Sequence, residues 1–168
     1  MEAIMDLPAG YEKQIEDYRE KHEAVLLRSL GTGTQGTVFT AKNPRQPGLY
    51  AVKFHLRKVA YDREVGVYLR LRDLEVFEVC GHQVPQLLSY DDELLAIEMS
   101  TVRPPFCLDF GGAYLDKPPD YTPEVWRDWR EEKSDDFEDN WPAVEKILDE
   151  FRWMGIHIAD VNPGNIRF

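Results

Sequence analysis

Cysteine is scarce in this chain of 168 residues: it has two, Cys80 and Cys107. Two thiols make neither a disulfide framework nor a zinc site, and a reducing cytoplasm is the expected compartment. Long apolar runs are missing too. No stretch reaches the ~18 apolar residues that a membrane-spanning helix needs. The N-terminal MEAIMDLPAG lacks the basic region and apolar stretch of a secretory signal. Positive charge is in deficit, with 20 Lys and Arg against 31 Asp and Glu, a net −11. Nucleic acid and anionic lipid are therefore poor partners, while a cationic substrate or a basic protein stays open. The deficit is uneven: residues 116–150 hold 13 acids and 5 bases, a net −8. A solvated helical face is the simplest account of such a run. What is present is globular in character, 43% hydrophobic and 30% charged. The length suits one compact domain or one domain with two lobes.

Local patterns change along the chain. GYEKQIEDYREKH (10–22) has the spacing of a short polar helix with Tyr11, Ile15, Tyr18 and His22 on one side. EAVLLRSL (23–30), QGTVFTAK (35–42) and GLYAVKFH (48–55) alternate as strands and are separated by the turn-rich GTGT and NPRQP. This order predicts an antiparallel meander. Residues 58–74 return to helical spacing, and QLLSY and ELLAIEMS, joined at Asp91-Asp92, read as a second hairpin. Residues 123–137 and 139–154 look helical, each with a proline in its first turn, where no backbone hydrogen bond is lost. The segment 111–122 reads as loop. A strand-rich part (1–99) thus precedes a helical part (100–168), with the seam near Met99. The expected class is α+β: an antiparallel sheet of about five strands with one helix on it, then a smaller helical lobe.

Three motifs carry chemistry. Gly31-Thr32-Gly33-Thr34-Gln35-Gly36-Thr37-Val38 fits G-x-G-x-x-G-x-V. The pattern alone is weak, but strand-forming residues follow it, so it belongs to a hairpin rather than to a helix start. A hairpin of this kind folds over nucleotide phosphates, and glycines let backbone amides approach the oxygens. Lys53 ends the strand Tyr50-Ala51-Val52-Lys53, where a half-buried ammonium needs a partner. Glu64 in the following helix is the nearest suitable carboxylate. In Asp160-Val161-Asn162-Pro163-Gly164-Asn165 an Asp precedes an Asn by five residues on a loop. In phosphoryl transfer such an Asp orients the attacking hydroxyl and accepts its proton, and the Asn holds magnesium. Ordinary alternatives are a flexible hairpin, a snorkelling lysine and an Asx-rich turn.

Taken together and in this order, these motifs resemble the protein-kinase-like superfamily over about residues 23–115 and 139–168. The resemblance implies a two-lobed fold binding ATP and magnesium in the cleft between lobes. Gly31, Gly33 and Gly36 would cover the phosphates, with Lys53 on them, braced by Glu64. Backbone groups of Glu98 and Ser100 would meet adenine, between walls from Leu30, Val38, Ala51 and Ile166. Asp160 would be the catalytic base, and Asn165, with Asp160, the metal ligands.

The departures are equally specific. Ile158-Ala159 replaces the family's His-Arg before the catalytic Asp, and Asn162 stands where protein kinases place a lysine. The loop DVNPGN is closer to those of bacterial small-molecule and lipopolysaccharide kinases. In the family a strand and then Asp-Phe-Gly follow the catalytic loop, and that Asp is the main magnesium ligand. Here the sequence ends at Phe168, as a cut piece or as a minimal kinase fold. Asp109-Phe110-Gly111 spells the motif about 50 residues too early, and its expected role is to cap or turn the chain near the ribose. His157 is expected at a strand end, and Trp126, Trp129, Trp141 and Trp153 as packing anchors. Two functions follow. One is transfer of the ATP γ-phosphate to a hydroxyl on a cationic small molecule, a sugar or a basic protein. The other is a pseudokinase or scaffold working by partner binding, with the acidic 116–150 segment as a contact for a basic protein.

Overall fold

The computed structural model describes residues 6–168. The protein is α+β, and the chain divides into two compact units. The first takes the residues up to Tyr61 together with Leu87–Thr101; the second takes Asp62–Gln86 and Val102–Phe168.

The first unit is built on an antiparallel sheet. Its strands are β1 (Val25–Thr32), β2 (Thr37–Lys42), β3 (Tyr50–Phe54), β6 (Leu87–Asp91) and β7 (Ala96–Met99), in the order β1-β2-β3-β7-β6. The β1–β2–β3 meander and the β6–β7 hairpin are those the alternating patterns predict. Helix α1 (Glu12–His22) lies on one face of the sheet. Its Ile15 and Tyr18 are fully buried with Phe39, Ala41, Tyr50, Val52, Phe54 and Ala96. These sheet residues share one face because strand side chains alternate. At its start, Glu12 accepts a hydrogen bond from the Gly10 amide at 2.8 Å. At its end, Glu23 turns left-handed with φ +50° and the Ala24 amide closes onto the Arg19 carbonyl. Gln14 ties the helix to the sheet, its amide donating to the carbonyls of His55 and Leu94.

The same face buries a polar network. Glu98 is 2% exposed. The Tyr18 hydroxyl donates to it at 2.5 Å and also meets the Tyr50 hydroxyl, which accepts from the Asn43 amide. Gln46 donates to its second oxygen at 3.5 Å. Partners of this kind are what make a buried carboxylate tolerable.

The second unit begins within α2 (Lys58–Asp73), a helix whose first residues belong to the first unit. The chain passes between the units after Tyr61, Gln86 and Thr101, where the sequence suggests a single seam near Met99. The helix packed on the five-stranded sheet within the first unit is α1. Thr122 caps α3 (Pro123–Phe137) by accepting from the Val125 amide at 3.2 Å, and Pro123 occupies its first turn. A 3-10 turn over Glu138–Asn140 leads into α4 (Trp141–Trp153), so the helix expected from residue 139 starts two residues later. Val144, Ile147, Leu148 and Phe151 are buried at helical spacing along α4.

The unit's strands are short: β4 (Glu78–Val79), β5 (His82–Gln83), β8 (Phe106–Cys107), β9 (Ala113–Leu115), β10 (Ile156–Ile158) and β11 (Ile166–Arg167). They form one sheet in the order β11-β8-β5-β4 and a separate β10-β9 pair. The presence of β9 corrects the reading of 111–122 as continuous loop. Its three residues are held by pairing with β10, a partner that no local pattern announces. Among the described residues no helix is long and apolar enough to cross a membrane.

Candidate functional site

In the first unit, Gly31–Gly36 joins two antiparallel strands, β1 and β2, with Thr32 opposite Thr37. The Gly33 amide donates to the Gly36 carbonyl at 2.9 Å, and the Thr32 and Thr37 hydroxyls are 2.8 Å apart. Gly36 has no alternative within the protein itself. A Cβ there would strike the Phe54 carbonyl oxygen and come within 3.2 Å of the Lys53 Cε. At Gly31 and Gly33 a Cβ would meet no protein atom. The hairpin therefore folds back against the end of β3, where Lys53 stands.

Lys53 is 4% exposed. Register places it opposite Val38 on one side and Ile97 on the other. Ala51, opposite Met99, lies on the same face by alternation. This is the face turned away from α1. Glu98 lies on the opposite face, with its side chain committed to Tyr18 and Gln46. Its main chain sits in the ladder between Val52 and Ser89, and Ser100 is the first residue past β7. Leu30 of β1 is about half exposed.

In the second unit, strand pairing brings distant segments together. β8 pairs with β11, placing Cys107 opposite Ile166 and Phe106 opposite Arg167. β9 pairs with β10, placing Ala113 opposite Ile158 and Leu115 opposite Ile156. Each chain segment thus leaves one ladder and enters the other through a short loop, 108–112 in one segment and 159–165 in the other. The loops lie side by side. The Leu108 amide donates to the Asn165 carbonyl at 2.9 Å, and a Cβ on Gly112 would lie 2.7 Å from the Asp160 Cβ. Asp109-Phe110-Gly111 is therefore next to the Asp160–Asn165 loop despite the ~50 residues between them. The expected turn is present, since Asp109 has φ +69° and its Oδ1 accepts from the Gly111 amide at 3.3 Å. What sequence order hid is the segment's neighbour.

Glu64 of α2 is fully buried, and its Oε1 accepts from the Phe110 amide at 3.3 Å. The Phe110 ring lies between Tyr68 and Phe151, at 5.4 and 5.5 Å. Tyr68 is the electrostatic reporter of this region. Burial first, then the charges of Glu64 and Asp109, hold its hydroxyl pKa well above the ordinary value. Burial also pushes the nearby Cys107 thiol up to about 12. Both groups stay neutral and inert at physiological pH.

The 159–165 loop is shaped by its own backbone. Asn162 Oδ1 accepts from the Gly164 amide at 2.8 Å, and the Asn162 carbonyl accepts from the Asn165 and Ile166 amides. Asn162 is thus part of the turn itself. Asp160 is exposed and Ile166 is buried. Among the described residues, no three His, Cys, Asp or Glu side chains are grouped to hold a metal ion by themselves. Asp109, Asp160 and Asn165 nevertheless bring hard oxygen donors to adjoining loops. Donors of this type are those magnesium takes, with one or two carboxylates and a shell filled by phosphate and water.

The aromatic residues divide. Trp126, Trp129 and Trp141 form an edge-to-face ladder with spacings of 5.5 and 6.1 Å, as packing anchors should. Trp153 does not anchor anything, being 88% exposed at the end of α4. His157 lies mid-strand in β10 opposite Tyr114, not at a strand end. It borders a hollow of about 640 Å³ with Arg70, Asp116, Arg152 and Trp153, which none of Glu64, Asp109, Asp160 or Asn165 lines. Three further features escaped the sequence: Gly112 against Asp160, Tyr68 against Phe110, and the Trp129 indole donating to the Ala159 carbonyl at 2.7 Å. Only Gly112 left a signal, as the second glycine of DFGG.

No family model and no curated protein matches the chain significantly.

Proposed function

We propose that the protein is an ATP-dependent phosphotransferase of the protein-kinase-like kind, with its catalytic segments in a rearranged sequence order. The observation that carries this reading is the double pairing of β8 with β11 and β9 with β10. A strand followed by Asp-Phe-Gly is what the resemblance requires after the catalytic loop. Here such a strand and motif come before the loop in sequence but pair with the strand that follows it. The carboxylate whose absence favoured a pseudokinase thus has a candidate in Asp109.

Each unit holds groups with a chemistry of its own. The first offers the glycine hairpin and Lys53, suited to phosphate oxygens through backbone amides and one ammonium. The second offers Asp160 to accept the proton of an acceptor hydroxyl as its oxygen bonds to the γ-phosphorus. The bond from that phosphorus to the β–γ bridging oxygen breaks, and ADP leaves. Asp109 and Asn165 would hold magnesium, which when bound neutralises charge on the phosphates. Glu64 orients the Asp109 segment through the Phe110 amide. The acceptor is a hydroxyl compound whose identity the chemistry leaves among cationic small molecules, sugars and basic proteins.

Calorimetry with ATP, with and without magnesium, tests this. Wild type should bind nucleotide more tightly with magnesium, and Asp109→Asn should lose most of that magnesium-dependent gain. The absence of any nucleotide binding at millimolar concentration would leave the scaffold reading in place. Binding without turnover on a broad acceptor panel would favour the pseudokinase.

A further inference from the structure

From the bond between Trp129 and Ala159 we infer that Trp129 is a positioning residue for Asp160, acting from the acidic helix α3 on the loop that carries the proposed base. The inference rests on the phosphotransfer reading for its kinetic consequence, but not for its structural content.

Asp160 is exposed, so solvent surrounds its carboxylate and little else restrains it. Its stem is held instead. The peptide linking Ala159 to Asp160 is a rigid plane. The Trp129 indole N–H donates to the carbonyl oxygen of that plane at 2.7 Å, at the short end for such a bond. Pinning the oxygen fixes the amide from which the Asp160 Cα hangs. On the other side, a Cβ on residue 112 would lie 2.7 Å from the Asp160 Cβ, so the Asp160 stem keeps its place only because residue 112 is glycine. Two contacts, one on the preceding carbonyl and one on Cβ, thus set the direction of the side chain while its oxygens stay in water.

The indole itself is locked. Trp126 meets it edge-on at 5.5 Å and 84°, and Trp141 at 6.1 Å and 68°. Tyr121 extends the ladder from Trp126 at 5.0 Å. Indole has a single donor and no acceptor, so a rotated or displaced ring would leave the Ala159 carbonyl to water. The ladder thereby ties the 116–150 segment to the reacting group, a function distinct from its charge.

Trp129→Phe keeps a ring in the ladder and removes the donor. If Trp129→Phe does not accumulate as folded protein, Trp129→Leu, which also has no side-chain donor, takes its place. Amide hydrogen exchange over 159–166 is expected to speed up severalfold, with the exchange of β2 and β3 unchanged. In turnover, kcat is expected to fall roughly ten- to a hundredfold while the nucleotide KM stays within about twofold, because misorientation of a reacting group is felt in the chemical step. Trp126→Phe, which leaves the indole–carbonyl bond in place, should keep kcat within about twofold. Unchanged exchange over 159–166 in the donor-less variant overturns the inference, and so does an equal kcat loss in Trp126→Phe. Wild-type protein without turnover would sink the phosphotransfer reading, and the exchange comparison would then decide the positioning role by itself.

Discussion

The two units hold their functional residues by different means. In the first, Lys53 sits mid-sheet, flanked by Val38 and Ile97 in continuous ladders. Its neighbours are fixed by strands of four to eight residues and by a single apolar cluster that includes α1. In the second, the ladders that bring Asp109 and Asp160 together are two and three residue pairs long. Individual side chains complete the job: Glu64 on the Phe110 amide, Trp129 on the Ala159 carbonyl, and Arg70 on Asp116 and on the carbonyls of Met154 and Gly155. Regular pairing spreads a perturbation over many bonds. A loop pinned at a few points does not. Single substitutions in the second unit should therefore move site geometry before stability, and those in the first should do the reverse.

The largest expected effect is that of Asp160→Asn. Loss of a general base lowers turnover by about 10²–10⁴-fold, and nucleotide affinity should stay within a few-fold. Steady-state kinetics beside calorimetry separates the two. If the change instead abolishes magnesium-dependent binding, Asp160 is chiefly a metal ligand and the division of labour with Asp109 reverses.

Gly112→Ala probes the pinned loops without replacing a charged group. The new Cβ meets the Asp160 Cβ at 2.7 Å and its Oδ2 at 3.3 Å, so the Asp160 stem must shift by several tenths of an ångström. A fall in kcat of roughly a hundredfold is expected, with only a small change in the thermal midpoint. A large drop in thermal midpoint with kcat preserved in the folded fraction would break the proposed contrast between the units.

The same contrast explains what could be read in advance. The first unit's strands lie in sequence runs of five or more residues with apolar alternation, and α1 repeats Ile15 and Tyr18 at helical spacing, so period and turn residues reveal them. Lys53 was legible because a cation among apolar strand residues is anomalous. In the second unit, two-residue strands such as β8 and β11 have no period to detect. Their identity lies in the partner, which is 61 residues away for Phe106 and Arg167. Asp109 is visible as a motif, but sequence order does not reveal its neighbour, the 159–165 loop. Gly112 and Trp129 act through contacts that only the folded loops create. Glu98 illustrates a further limit: its place at the end of a strand was readable, but the pairing of its carboxylate with Tyr18, 80 residues earlier, was not.

The smallest expected effect is a pH dependence confined to the first unit. Asp91, at the end of β6, is 8% exposed. Burial opposes its ionisation, but hydrogen bonds from Lys21, His22 and the Leu94 amide outweigh it, and its pKa is lowered from 3.8 to about 2. A depressed carboxylate adds stability above its unfolded pKa and loses it as pH falls through the folded value. The window here runs from about pH 4 down to pH 2. The shift corresponds to at most about 2–3 kcal/mol. The Lys21 ammonium is about half exposed, so solvent screening brings the expected figure nearer ~1 kcal/mol. Asp116 in the second unit is also lowered, by its bond to Arg70, but it lies in open solvent and should contribute little. Urea unfolding of wild type and Asp91→Asn should therefore show a stability gap at pH 7 that closes by pH 2. Hydrogen exchange at pH 3 should loosen α1 and the β6–β7 hairpin before β9 and β10. Were β9 and β10 to open first, the stability carried by side chains in the second unit would be the weaker of the two against acid, and the ranking of the units would have to be inverted.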